Sequence, residues 1–446
     1  MVTASRRSFT LEDWLAWFET LHPKKIDLSL ERITAVLERL ELKPPPFKVI
    51  TVGGTNGKGS CVAMLESIYW HAGYTVGAFT SPHLWRFNER IRLNGADAAD
   101  AELVEIFEII DGALGTITLS YFESSTVAAL LYFVQHDVEV AVLEVGMGGR
   151  LDSANAVDAD CALIVSIDLD HREWLGPDRE AIGREKAGIV RRGRPAIVAD
   201  RDPPRSVLEH AAAEGAHVAL IGRDFDYRRA GNGWRRRTDP DSAPPLPLPE
   251  FGGDEQLGNA AACAAVADAL RADLPVSDAQ LAAGIRHAQL RGRFELHDVD
   301  GVQWVFDVAH NPAAAQILRS SIARLPPRRT LAVFAAMRDK DLAGVLEPFV
   351  ASVEQWFVTQ AAPDRGATGP ELRDTLAAAG ARTISVSANV PAACAAARSA
   401  ARPGDRVVVF GSFVTVGAAA EALGLYCAPS PRGAPPATWT RVSKSD

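Results

Sequence analysis

The sequence is poor in cysteine. Five residues, at 61, 161, 263, 394 and 427, are scattered over 446 positions, odd in number and without a CxxC pair. That pattern excludes a disulfide framework and a thiolate zinc site, and reads as reduced thiols in a cytoplasmic setting. Positive charge is not in excess either, since 47 Lys and Arg against 56 Asp and Glu leave a net charge of −9. The electrostatic footprint of a nucleic-acid or anionic-membrane binder is missing. No apolar run approaches the ~20 residues needed to cross a bilayer. Met1 to Thr10 lacks the apolar centre of a signal peptide. What is present is ample core material: hydrophobic residues make up 47% of a chain long enough for two or three domains.

One stretch carries the strongest chemical signal. Gly54-Thr55-Asn56-Gly57-Lys58-Gly59-Ser60 follows an apolar run, Phe47 to Val52, that reads as a buried strand. It precedes the apolar-periodic segment Cys61 to Ala72, which reads as a helix. Strand, glycine turn and helix N-terminus together form a phosphate cradle, in which backbone N–H groups and the helix dipole face anionic oxygens. Lys58 is placed to reach the terminal phosphates. The spacing departs from the common Walker pattern, because Gly59 separates Lys58 from Ser60.

Around this cradle the chain alternates. Leu11 to Leu21 and Leu30 to Leu40 read as helices, and the aromatic residues Trp14, Trp17 and Phe18 read as packing. Strands are expected at Thr75 to Phe79, Val138 to Val145, Cys161 to Ile167 and Pro195 to Ala199, with helices between. Alternation of this kind predicts a doubly wound, mostly parallel α/β sheet. Arg228 to Pro249, basic and proline-rich, reads as an exposed hairpin or loop. After Arg291-Gly292-Arg293 a second alternation begins, with strands at Val302 to Val308, Thr330 to Ala335, Val353 to Val358, Thr383 to Val386 and Arg406 to Phe410. This predicts a smaller Rossmann-like α/β domain without a GxGxxG fingerprint, so no dinucleotide is implied. The expected division is 1–292, 293–428 and a disordered tail, 429–446.

Four groups fall at or beyond expected strand ends: Ser81, Glu144, His171 and Lys186. Chemistry in parallel sheets collects at such ends. A carboxylate near the end of an apolar strand is costly unless paired or metal-bound. Each group also has a plainer reading: Ser81 capping a turn, Glu144 paired with Arg150, His171 at the surface, Lys186 solvated. Downstream of a phosphate cradle, the set favours a metal–ATP site.

The motifs in order resemble one family. They are the cradle itself; Thr80-Ser81-Pro82-His83-Leu84; Glu144-Val145-Gly146-Met147-Gly148-Gly149-Arg150-Leu151-Asp152; Asp170-His171; Gly183-Arg184-Glu185-Lys186-Ala187-Gly188-Ile189; and Asp307-Val308-Ala309-His310-Asn311-Pro312. Together they are similar to the dihydrofolate and folylpolyglutamate synthases, within the Mur-type ATP-dependent amide ligases. Ile26-Asp27-Leu28 and Tyr121-Phe122-Glu123 resemble the bifunctional bacterial form.

The resemblance implies glutamate joined to dihydropteroate and to tetrahydrofolate tails through an acyl phosphate, with no nucleic acid or membrane partner, in a monomer. It implies magnesium, two ions, held by Ser81, Glu144 and His171; a monovalent cation is a further candidate. Lys58, Lys186 and His171 take catalytic roles, with Lys186 carbamylated. Gly54 to Ser60, Asn259, Arg293, Asp307 and His310 contact ATP. The pterin falls to Ile26, Asp27, Leu28 and Ser29, to Ser120, Tyr121, Phe122 and Glu123, and to Leu151, Asp152 and Ser153. Two departures stand out: Arg291 replaces the family's usual proline, and Asp152-Ser153-Ala154-Asn155 replaces Asp-Ala-Thr-Asn.

Other readings are a monofunctional folylpolyglutamate synthase, a Mur ligase acting on a nucleotide-sugar peptide, and a nucleotide-binding regulator. The cradle's start at residue 53 speaks against the Mur ligase, because it leaves no room for a separate UDP-binding domain. The Glu144, His171 and Lys186 set speaks against the regulator, because a sensor needs no second metal site.

Overall fold

The computed structural model describes residues 8–24, 26–252 and 256–426. Eight strands form the first sheet: β1 (Lys48–Gly53), β2 (Val76–Phe79), β3 (Ile91–Leu93), β4 (Ala96–Asp97), β5 (Val140–Glu144), β6 (Cys161–Ile164), β7 (Pro195–Val198) and β8 (His217–Leu220). Their order is β4-β3-β2-β5-β1-β6-β7-β8. From β2 to β8 all neighbours run parallel; β3 and β4 add an antiparallel edge. β5 is buried at every position and β1 at all but Lys48, because helices cover both faces. That is why these strands read as continuous apolar runs rather than alternating ones.

A ribbon of β9 (Tyr227–Ala230) and β10 (Gly233–Arg236) follows. The hairpin expected here is present and much of it is exposed, but one face reaches the core. Trp234 is fully buried and packs with Leu246 and Phe251 against the core beneath the helix Gln256–Ala269. Strand alternation sends Trp234 inward while Arg235 and its cross-strand partner Arg228 lie on the other face. Arg228 pairs with Asp241, and Arg236, on the Trp234 face, pairs with Asp278 at 3.0 Å and Asp268 at 3.5 Å.

The second sheet contains β11 (Glu295–Val299), β12 (Val302–Asp307), β13 (Thr330–Phe334), β14 (Gln355–Val358), β15 (Ile384–Val386) and β16 (Arg406–Phe410), in the order β11-β12-β16-β13-β14-β15. Only β11 is antiparallel. The helical segments at Leu11–Leu21 and Glu31–Arg39 lie as expected, with Trp14 and Phe18 buried against Phe107. The short strands β3, β4, β8 and β11 carry no sequence signal strong enough to be expected. Cys61, Cys161, Cys263 and Cys394 are free and buried. The tail at 429–446 lies outside the described residues. Among those described, no helix is long and apolar enough to cross a membrane.

Candidate active site

The cradle forms where β1 ends. The helix that follows spans Lys58–His71, three residues earlier than the periodicity predicts, so Lys58 itself sits in its first turn. Gly57 caps it with φ of 95°, and Gly54 has φ of 142°, both values that side chains rarely adopt. A β-carbon on Gly54 would stand 2.2 Å from Val165 Cγ2. One on Gly57 would stand 2.9 Å from Asn259 Oδ1, which places Asn259 against the turn. Glycine is required here for shape as well as for approach. Thr55 and Ser166 tie the loop to β6: Thr55 N–H donates to Ser166 O at 2.6 Å, and Ser166 Oγ to Asn56 O at 3.0 Å.

Glu144 ends β5 directly beside this loop. Its carboxylate is 5% exposed, and both oxygens lie 3.9 Å from the position a Gly59 β-carbon would take. Ser81, just beyond β2, donates its backbone N–H to Glu144 Oε2 at 3.0 Å. Burial holds the Glu144 carboxyl above its ordinary range, opposed by the charge of Lys58, the Ser81 amide and the charge of Arg293. The expected alternative, a pair with Arg150, does not form; Arg150 pairs with Glu185 at 2.9 Å.

Two ammonium groups meet on one carbonyl. Lys58 Nζ donates to Gly54 O at 3.1 Å and Thr55 O at 3.2 Å, folded back onto its own loop. Lys186 Nζ donates to the same Gly54 O at 2.7 Å and is 4% exposed. Lys186 is therefore not solvated. Burial, then the nearby Lys58 charge, pulls its pKa down to about 7.

Neither a hydrogen bond nor an ion pair joins His171 to Ser81 or Glu144, although the charges of Lys58 and Lys186 reach it. It sits in the left-handed region, φ 48°, on the loop after β6, with its side chain half exposed and Asp170 at 3.7 Å. Partial burial and the charges of Lys340, Lys58 and Lys186 hold its pKa low against Asp170. Among the described residues, no three His, Cys, Asp or Glu side chains gather as a metal-binding group.

The second domain supplies the opposite wall. Arg293 and Phe413 line, with Ser81, Glu144, Arg92 and Gly59, a cleft of about 340 Å³. Arg293 lies 5.4 Å over the Phe413 ring, and Asp307 and Glu144 offset the burial of its charge. Asp307 ends β12 and fixes the turn there, accepting Phe294 N–H at 2.9 Å and Ala309 N–H at 2.8 Å. His310 bonds Val308 O through Nδ1 at 2.8 Å and packs on Phe413.

The three segments expected to hold a pterin converge at the start of the helix Tyr121–Gln135. Ser120 and Glu123 form its capping box. Arg32 joins Glu123, at 3.1 Å, to Asp27, at 2.9 Å. Ser153 Oγ meets Thr126 Oγ1 at 2.5 Å. Asp152, its carboxyl pushed up to about 6 by burial, accepts Met147 N–H and Ala154 N–H, and so braces the glycine loop. Ile26 stays 39% exposed, Leu151 and Leu28 are half-buried, and Ser29 borders them. Phe122 packs across Gly146 and on Phe79.

Sequence reasoning missed Arg32 as the connector. It also missed Arg90, which is buried between the rings of Tyr121 and Phe87, at 5.5 and 5.9 Å. Arg90 Nε donates to His83 Nδ1 at 2.9 Å, and burial, with the Arg90 charge, pulls His83 down to about 4. The signal for Arg90 was present in Asn88-Glu89-Arg90-Ile91 at a strand end, but its partners are aromatic and distant in sequence.

Two family models match the chain, Mur ligase middle domain over residues 52–232 and Mur ligase, glutamate ligase domain over 292–413. The dihydrofolate synthase/folylpolyglutamate synthase of Escherichia coli is 43% identical over 91% of this chain and 94% of its own length. The chain belongs to the dihydrofolate synthase/folylpolyglutamate synthase family. It is an enzyme, a ligase of the Mur type. The solved structure of E. coli FolC in complex with DHPP and ADP superposes with a TM-score of 0.85 at 42% identity, covering 94% of this chain and 98% of that one. A bifunctional synthase of this family with Mn, AMPPNP and L-glutamate bound gives a TM-score of 0.83 at 39% identity, covering 94% and 99%. The α/β architecture and the ligase reading made from the motifs agree with these members of the family.

Proposed function

We propose that this chain joins L-glutamate to dihydropteroate, giving dihydrofolate, and extends the glutamate tail of folates, using ATP and releasing ADP and phosphate. The observation that carries the reading is the convergence of Lys58, Lys186 and Glu144 on the glycine loop, beside a cluster that gathers all three pterin segments.

A carboxylate is a poor electrophile. Phosphoryl transfer from ATP converts it to an acyl phosphate, the glutamate amine attacks the acyl carbon, and phosphate leaves as the amide forms. Lys58 swings from the carbonyls of Gly54 and Thr55 to the transferring phosphate, where its charge offsets developing negative charge. The N–H groups of the loop and helix start hold the remaining phosphate oxygens. Ser81 and Glu144 are hard oxygen donors of the kind magnesium takes, and a buried carboxylate met by one amide suits a divalent ion. His171 would join them from its loop. Magnesium, if held there, would supply positive charge to offset the negative charge of the phosphates. Arg90, a buried cation between two rings beside the pterin segments, is placed to receive the substrate's carboxylate.

Lys186 fits a carbamate: burial favours its neutral amine, and addition of carbon dioxide to that amine gives an anion with loss of one proton. Asn259, Arg293, Asp307 and His310 bring nucleotide contacts from both walls of the cleft.

The test is phosphate release with ATP and magnesium, using dihydropteroate and tetrahydrofolate separately, each with and without glutamate. Release that needs both the pterin compound and glutamate is expected for each. Release with tetrahydrofolate alone makes the enzyme monofunctional, and release indifferent to both overturns the ligase assignment.

A further inference from the structure

One arginine fastens the junction of the two domains from both sides. Arg291 precedes Gly292, whose φ of 67° lies in the left-handed region and whose missing β-carbon would stand 2.9 Å from Leu84 Cδ1. Gly292 O accepts Val308 N–H at 2.9 Å, so the chain turns sharply into the second sheet. On one side, Arg291 Nη1 donates to Asp97 Oδ2 at 2.8 Å. Asp97 belongs to β4, the edge of the first sheet, and its side chain is 9% exposed. On the other side, the same guanidinium covers the ring of Tyr426, at 5.7 Å.

Tyr426 follows the last helix of the second domain. Its hydroxyl donates to Glu295 Oε2 at 2.9 Å, and that same oxygen accepts Gly292 N–H at 2.8 Å. Trp85, from the first domain, packs on Tyr426 at 6.4 Å. A single side chain thus touches the first sheet's edge and the second domain's end, while its neighbour Gly292 makes the turn. Proline, which the family resemblance led us to expect at 291, has no group that could do this.

We propose that Arg291 is a positioning residue, a latch that holds the two domains at the angle at which Arg293 and Phe413 face Glu144 across the cleft. Arg291 and Asp97 line one end of the cleft, and the side-chain contacts of Arg291 run to Asp97 and Tyr426 rather than to Glu144 or the glycine loop. A ligand that needs both domains binds with an apparent affinity reduced by the fraction of molecules at the competent angle. Loss of the latch therefore weakens binding without altering the chemistry of the bound complex. The kinetic part of this inference rests on the ligase reading; the shape of the free protein does not.

The experiment pairs small-angle scattering of the ligand-free full chain with steady-state kinetics, for Arg291→Ala, Asp97→Asn and the exchange Arg291→Asp/Asp97→Arg. For Arg291→Ala we expect a larger radius of gyration and a KM for glutamate raised about fivefold, the scale of one half-exposed ion pair with a ring contact. The kcat stays within about twofold, since nothing at the reacting atoms changes. Asp97→Asn, which keeps the shape and removes the charge, moves both readouts in the same direction by less. The exchange recovers part of the KM. Unchanged scattering and KM in a folded Arg291→Ala protein overturns the latch. So does a joint fall in kcat and thermal midpoint with no recovery in the exchange, because that marks Arg291 as a stability residue. If no variant or parent turns over, the scattering alone decides, and failure of the ligase reading is seen separately.

Discussion

Two regions of this molecule are dense in charge, and they treat it oppositely. In the β9–β10 ribbon Arg228 meets Asp241 and Arg236 meets Asp278 and Asp268, and nearby Arg201 meets Asp226. At the glycine loop the direct hydrogen bonds of the charged groups run to backbone dipoles, and no ion pair closes among the described residues. Lys58 and Lys186 rest on backbone carbonyls, and Glu144 on a backbone amide. A paired charge has spent its interaction inside the fold. A buried charge that meets only a dipole retains most of its capacity for a charged ligand. What separates the charged groups of the two regions is the identity of their partners.

The contrast is broken most severely at Lys58. Replacement by alanine is expected to lower turnover by about 10³-fold, the upper scale for removing one group that stabilises charge at a reacting centre. The thermal midpoint should stay within about 2 °C, because the ammonium leaves only two carbonyl bonds at a half-buried helix start. Near-normal amide formation by a folded Lys58→Ala protein would mean that the loop does not hold ATP.

Glu144→Gln comes next. It keeps the shape and the Ser81 contact but removes a charge that burial already disfavours. Turnover should fall about 100-fold and require more magnesium, while stability holds or rises, since the desolvation cost is relieved. A titration of rate against magnesium checks this; an unaltered curve would make Glu144 a purely structural group.

Lys186→Ala should lower the rate about 10–100-fold, the usual cost of losing a group that supports a metal site from outside. Short-chain carboxylic acids should restore part of it, by standing where the carbamate stood. The pH dependence has a defined sign. Only the neutral amine adds carbon dioxide, and burial lowers the pKa from 10.5 to about 7. Reactivation of carbon-dioxide-depleted enzyme by bicarbonate should therefore speed up as pH rises through about 7, then level off well below pH 10. A rise centred near the ordinary lysine value would show that Lys186 is solvated in the working enzyme.

What was legible before the structure follows the same division. The cradle was readable because its signal is local: an apolar strand, glycines where the backbone needs positive φ, and a lysine at the helix start. The second sheet was readable because five of its six strands are short apolar runs at regular spacing. Arg32 and Arg90 were not, since an arginine's role depends on which side chains reach it, and theirs come from as far as Glu123 and Tyr121. Trp234 was hidden by its setting, because arginines and prolines on both sides announce an exposed loop. One inward position in a strand is enough to make it core.

The smallest expected effect sharpens the comparison from the ribbon side. Arg228→Ala removes the Asp241 pair and the bond from Arg228 Nη2 to Asp239 O at 2.6 Å. Asp241 is 90% exposed, so its carboxylate regains water when the partner leaves, and salt already screens the pair. The cost should be about 0.5 kcal/mol, within the range for surface ion pairs. The thermal midpoint then moves by no more than about 2 °C, and kcat and every KM stay unchanged, because the ribbon's contacts run to the core beneath it and not to the cleft. The same alanine that removes activity at Lys58 should pass almost unseen at Arg228, although both remove one positive charge. If Arg228→Ala instead raised KM for ATP or for the pterin substrate, the ribbon would be coupled to the cleft. The division between charges the fold has used and charges it holds for a ligand would then fail at its paired end.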